Sequence, residues 1–138
     1  MKLPTDIKIY GDMNHRDKNC RKEWAEQKEF FGFLKEQKPR WYEIAIHPKN
    51  EGKRTGRQAQ IDAEQGALNT GASDIIIPAR IPFICEVKCI DHTASKISND
   101  QLRYLRVCRD EGAFTCIALG CRAAWEALLE WEIYLKNN

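Results

Sequence analysis

The segment 82–90 constrains this chain most. It reads Pro-Phe-Ile-Cys-Glu-Val-Lys-Cys-Ile, a strand-forming run with two opposite charges set into it. Successive side chains on a strand point to opposite faces, so Phe83, Cys85, Val87 and Cys89 make one apolar face. Glu86 and Lys88 share the other face, between Ile84 and Ile90. Taking such charges out of water costs free energy unless they meet a partner, a metal or solvent. Upstream, Gly71-Ala72-Ser73-Asp74 leads into Ile75-Ile76-Ile77, a short buried strand closed by Pro78. Asp74 can then stand beside Glu86 across a hairpin. Two clustered carboxylates repel, so their shared ionised state calls for a cation between them. An all-oxygen site suits Mg²⁺ or Mn²⁺ rather than zinc. Lys88 beside the metal could orient or help deprotonate a water and offset charge building on a phosphate. That chemistry is metal-assisted phosphodiester hydrolysis. The plain alternative for Glu-x-Lys on a strand is an exposed cross-strand ion pair.

The flanking patterns predict the order α-β-α-β-β-α-β-α. Helices are expected over residues 17–37, 57–69, 98–111 and 121–135, with strands over 41–47, 74–77, 82–90 and 114–119. This is α/β in class, a mixed sheet covered by helices on both sides. At 138 residues, with 43% apolar and 30% charged, the composition fits one domain spanning 1–138. The net charge is only +2, so nucleic-acid contact must come from local concentrations of charge. No apolar run approaches the roughly 18 residues of a membrane span, and the first residues carry no secretory pattern. A cytoplasmic location is expected, with no membrane partner. The six cysteines contain no Cys-x-x-Cys pair and read as reduced core thiols. No Gly-rich phosphate loop is present, so no nucleotide cofactor is expected.

Asp74 followed by Glu86-Val87-Lys88 resembles the D…(D/E)-x-K core of the PD-(D/E)xK nucleases. The continuation Ile97-Ser98-Asn99-Asp100-Gln101-Leu102, then Gly112-Ala113-Phe114, is similar to one branch, the virus-type replication-repair nuclease (VRR-NUC) domain. The likeness runs from about Glu23 to Leu119. It implies a restriction-endonuclease-like mixed central sheet flanked by helices. It also implies that Asp74, Glu86 and the Val87 main-chain carbonyl bind Mg²⁺ or Mn²⁺, that Lys88 is the catalytic lysine, and that Gln101 reaches in from the next helix. The family carries a further glutamate on its first helix. Glu26 is the expected residue and Glu23 the fallback. Ser73 stands where the family usually has proline, a change expected to alter the turn rather than the chemistry.

The activity implied is that of a structure-selective DNA endonuclease, a Holliday-junction resolvase in first place. Cutting at flaps or ends, or a catalytically silent DNA-binding module, are the alternatives. Lys49, Lys53, Arg54 and Arg57 surround one acid on a polar loop and are the expected DNA contacts. Arg103, Arg106 and Arg109 recur every three residues along the Gln101 helix as a second basic stripe. His47 and His92 read as bystanders. A four-way junction is two-fold symmetric, which predicts a homodimer, with Trp125 and Trp131 as candidate contacts.

Overall fold

The computed structural model describes residues 1–48, 57, 60 and 71–138. Its centre is a four-stranded sheet in the order β1-β4-β3-β2. Here β1 is Ile9–Tyr10, β2 is Ile75–Ile77, β3 is Phe83–Lys88 and β4 is Phe114–Leu119. Strands β3 and β4 run parallel, β1 runs parallel to β4, and β2 is antiparallel to β3. A parallel pair needs a crossover, and the chain supplies one as a short 3-10 turn, His92–Ala94, and a helix α3, Asn99–Asp110.

Both sheet faces are covered, which is why β3 is buried along its whole length. Helices α1, Glu23–Gln37, and α4, Cys121–Asn137, cover one face. Phe30 and Leu34 of α1 and Ala124, Ala127, Leu128 and Trp131 of α4 pack there with Phe83, Cys85, Val87 and Cys116. On the other face Leu105 of α3 meets Ile84, Ile117 and Leu119. This is the mixed α/β sheet between helices that the sequence predicts. No helix of the described residues is long and apolar enough to cross a membrane.

Several local expectations fail. Residues 41–47 were predicted as a strand on the alternation of Tyr42, Ile44 and Ile46. Residues 41–44 belong instead to a short helix α2, Pro39–Ile44, after which Ile46 alone bridges to Ile76. Pro39 sits at the start of α2, where its missing N–H costs nothing. The alternating residues are exposed, and the segment is anchored by Trp41, whose ring lies 4.9 Å from that of Trp131. Helix α1 begins at Glu23 rather than 17, because the preceding loop is tied elsewhere: Asp17 N–H donates to Asp91 Oδ2 at 2.9 Å. The two-residue β1 was not foreseen, being too short to show a period. Arg57 and Gln60 are helical; the rest of the helix expected over 57–69 lies outside the described residues.

Candidate active site

The antiparallel register Ile75↔Cys85, extended by one pair, sets Asp74 directly opposite Glu86. Such pairs bring Cβ atoms to roughly 4.5–5.5 Å, where like charges repel. Both carboxylates are buried, Asp74 at 1% exposure and Glu86 at 0%. Asp74 Oδ2 accepts from the Val87 N–H at 2.8 Å, which fixes the carboxylate against the edge of β3. On a strand a residue's N–H and C=O leave on the same side, so the Val87 carbonyl faces that edge too. His47, expected as a bystander, meets the Asp74 carbonyl through Nδ1 at 2.7 Å.

Lys88 is 2% exposed and surrounded by oxygen. Its Nζ donates to the Lys96 carbonyl at 2.6 Å and to Gln101 Oε1 at 3.4 Å. Glu86 Oε1 stands 3.5 Å away and Glu23 Oε1 3.8 Å away. Gln101 does two jobs at once. Its N–H donates to Ser98 Oγ at 3.1 Å and its Oε1 accepts from Ser98 N–H at 2.9 Å, a reciprocal capping box that starts α3. Its Nε2 then donates to Glu86 Oε1 at 3.0 Å. The cap fixes which way the amide faces, and so holds Glu86 in place.

Glu26 was expected in this cluster, and the structure corrects that. Arg21 clasps it, Nε to Oε2 at 2.9 Å and Nη2 to Oε1 at 2.8 Å. The Cys121 N–H, first of α4, also donates to Oε1, at 2.9 Å. Glu26 is therefore an anion docked on the positive end of α4, reached through Gly120 at φ +96. The Arg21 hydrogen bonds hold its carboxyl below the usual range against the opposing effect of burial, and the Cys121 N–H adds to them. A depressed acid stabilises the fold above its ordinary value of 4.5 and loses that contribution as pH falls below it. Glu26→Ala, which strands a buried N–H, is expected to cost about 1–3 kcal/mol in denaturant unfolding near pH 7. The gap from wild type should narrow as pH is lowered into the range where the wild-type carboxyl protonates; a gap constant from pH 7 to 3 would contradict this role.

The fallback glutamate, Glu23, is the one facing Lys88. Its other oxygen, Oε2, accepts from Ser95 Oγ at 2.7 Å, and Ser95 Oγ in turn accepts from Cys89 N–H at 2.9 Å. Neither Ser95 nor the Lys96 carbonyl was singled out from the sequence. A serine in a turn is unremarkable by type, and a main-chain acceptor leaves no mark on sequence at all.

Of the expected DNA contacts, Lys49, Lys53 and Arg54 lie outside the described residues, and Arg57 is helical and exposed. In the arginine stripe, Arg106 Nε and Arg109 Nη1 bind Asp6 Oδ2 at 2.8 and 3.2 Å, so both are engaged within the fold. Trp131 is wholly buried, with Nε1 donating to the Ile81 carbonyl at 2.7 Å, and so serves the core rather than an interface. Trp125 is half-buried beside Phe30 at 5.9 Å.

Among the described residues no group of three or more His, Cys, Asp or Glu side chains gathers as a ready-made metal cage. The donor set is narrower: two buried carboxylates and a main-chain carbonyl. Hard oxygens in small number fit Mg²⁺ or Mn²⁺, which keep several waters and use one or two carboxylates. The set lies at the carboxyl ends of the parallel strands β3 and β4, where open α/β sheets bind ligands.

Neither a protein-family model nor a curated protein matches the sequence. A solved structure described as a VRR_NUC domain protein superposes with a TM-score of 0.63, covering 80% of this chain and 88% of that one. The chain thus shares its fold with that VRR_NUC domain protein. Sequence identity to that structure is 16%, so the likeness concerns the VRR-NUC backbone arrangement, and residue roles rest on the geometry described above.

Proposed function

We propose that the protein is a VRR-NUC-type DNA endonuclease that hydrolyses phosphodiester bonds with Mg²⁺ or Mn²⁺ at Asp74, Glu86 and the Val87 carbonyl. The observation that carries this reading is Lys88: a buried ammonium held by four oxygens from β3, α1, α3 and the turn between. An exposed ion pair contributes little and needs no such enclosure. The bound ion would supply Lewis-acid activation at phosphorus and offset charge on the leaving oxygen.

The chain's own residues divide the remaining work. Asp74 is oriented by the Val87 N–H and Glu86 by Gln101, so neither carboxylate must reorganise when substrate arrives. Lys88 contributes a fixed positive charge toward the phosphate and the attacking water. Glu23, restrained by Ser95, keeps the Lys88 ammonium in place from α1.

The narrower reading is branched DNA, a four-way junction first. One cluster per chain cannot make paired cuts across a two-fold axis, which calls for a homodimer. The test is incision of labelled four-way junction, flap and linear duplex in Mn²⁺. Cutting should be lost in EDTA and fall at least about 100-fold in Asp74→Ala. Faster cutting of flaps would move the preference there. Binding without incision would mark a silent DNA-binding module, and metal-independent cutting by Asp74→Ala would reject the mechanism.

A further inference from the structure

Trp24 is the most exposed large apolar side chain among the described residues, at 66%. Single exposed apolar residues are ordinary; what distinguishes this one is its place. It follows Glu23, whose carboxylate lies 3.8 Å from Lys88 Nζ. Residues 24, 28 and 31 share one helical face, and Phe31 packs on the His47 ring at 5.3 Å. His47 in turn meets the Asp74 carbonyl at 2.7 Å. Phe31 and His47 therefore tie the face of α1 that carries Trp24 and Lys28 to Asp74, while Glu23, about 100° round the helix from Trp24, reaches the cluster from the adjoining stripe. The two joints are about 12 Å apart along the helix. Lys22 and Lys28, both exposed, bracket the indole in sequence, so an apolar ring beside the site is flanked by positive charge. That combination suits a nucleic-acid strand: cations for the phosphates and a flat ring for a base.

We propose that Trp24 is a stacking platform for one unpaired base next to the scissile phosphate, with Lys22 and Lys28 taking the flanking phosphates. The proposal rests on the nuclease reading only for the word scissile. It narrows the substrate: a base already stacked in duplex cannot use the ring, whereas one at a branch, flap or single strand can. Specificity for sequence is not expected, since every base has a face to stack.

The experiment titrates a 2-aminopurine oligonucleotide, as single strand and as blunt duplex, with the full chain in Ca²⁺. Wild type should quench the single-strand probe. Trp24→Ala should abolish the quench and weaken single-strand binding about ten- to hundredfold, and Trp24→Phe should restore most of it. Duplex affinity should be the same in all three. Lys28→Ala should lower affinity for both forms and reduce the salt slope by about one. The proposal is overturned if Trp24→Ala holds and quenches the single strand like wild type, or if wild type does not bind it. Cutting in Mn²⁺ is read separately. Stacking without incision by wild type would leave this surface standing and remove the nuclease; incision with unaltered Trp24→Ala binding would do the reverse.

Discussion

Lys88→Met is expected to lower the rate of incision at saturating substrate by about 10²–10⁴-fold, because the proposed mechanism uses its fixed charge at the reacting phosphate. Methionine keeps the apolar stem and the volume, so packing between β3 and α3 is preserved. What it leaves behind is the rest of the cluster: Glu86 held by Gln101, Glu23 held by Ser95, and the Lys96 carbonyl. Breaking a buried charged set by removing one member costs about 3–5 kcal/mol. Urea unfolding should show that loss without metal and a partial recovery in Mn²⁺, since a bound cation stabilises the native state. An unimpaired rate in Lys88→Met would mean that the amine has no part in the chemistry.

Gly71→Ala is expected to damage the same site from outside it. A Cβ at Gly71 would lie 2.3 Å from the Asp100 carbonyl oxygen and 2.7 Å from its carbon, closer than real contacts allow. Both neighbours are backbone, so no rotamer change relieves the clash, and either the chain before β2 or the start of α3 must move. Overpacking of this kind costs about 1–3 kcal/mol. Asp74 follows three residues later and Gln101 adjoins Asp100, so the shift separates the carboxylate from the Val87 N–H and Gln101 from Glu86. A displacement near 1 Å lowers rates about 100-fold. Gly32→Ala is the matched control: its Cβ meets nothing within 4 Å, and in a helix interior alanine should stabilise by about 0.5–1 kcal/mol. Equal behaviour of the two variants would remove the close approach at Gly71 from the account.

Sequence reasoning reached the sheet through β3 because the period-two pattern there sets two charges on one face of an otherwise apolar strand. It reached α3 and α4 through caps and through the spacing of Ala124, Ala127, Leu128 and Trp131, all of them fully buried. It failed at residues 41–47, where three exposed apolar side chains imitated a strand face while Trp41, packed on Trp131, anchors the short helix. It also put Glu26 ahead of Glu23. Both glutamates stand in the first turn of α1, and local pattern cannot tell them apart. What separates them is tertiary: Arg21 and the first N–H of α4 claim Glu26, and only Glu23 is left toward Lys88. Gln101 shows a middle case. Its cap with Ser98 is written in the spacing, whereas the turn of its amide toward Glu86 depends on how α3 lies over β3.

The central claim is that Asp74 and Glu86 together hold a hard divalent ion at the end of β3. Its most direct test is anomalous diffraction from a crystal soaked in Mn²⁺, collected for wild type and for Asp74→Asn. The account predicts an anomalous peak touching carboxylate oxygens of both residues and the Val87 carbonyl in wild type, and none in the variant. Ordered carboxylates with no manganese between them, in crystals whose dissolved protein cuts DNA in the same soak solution, would contradict it.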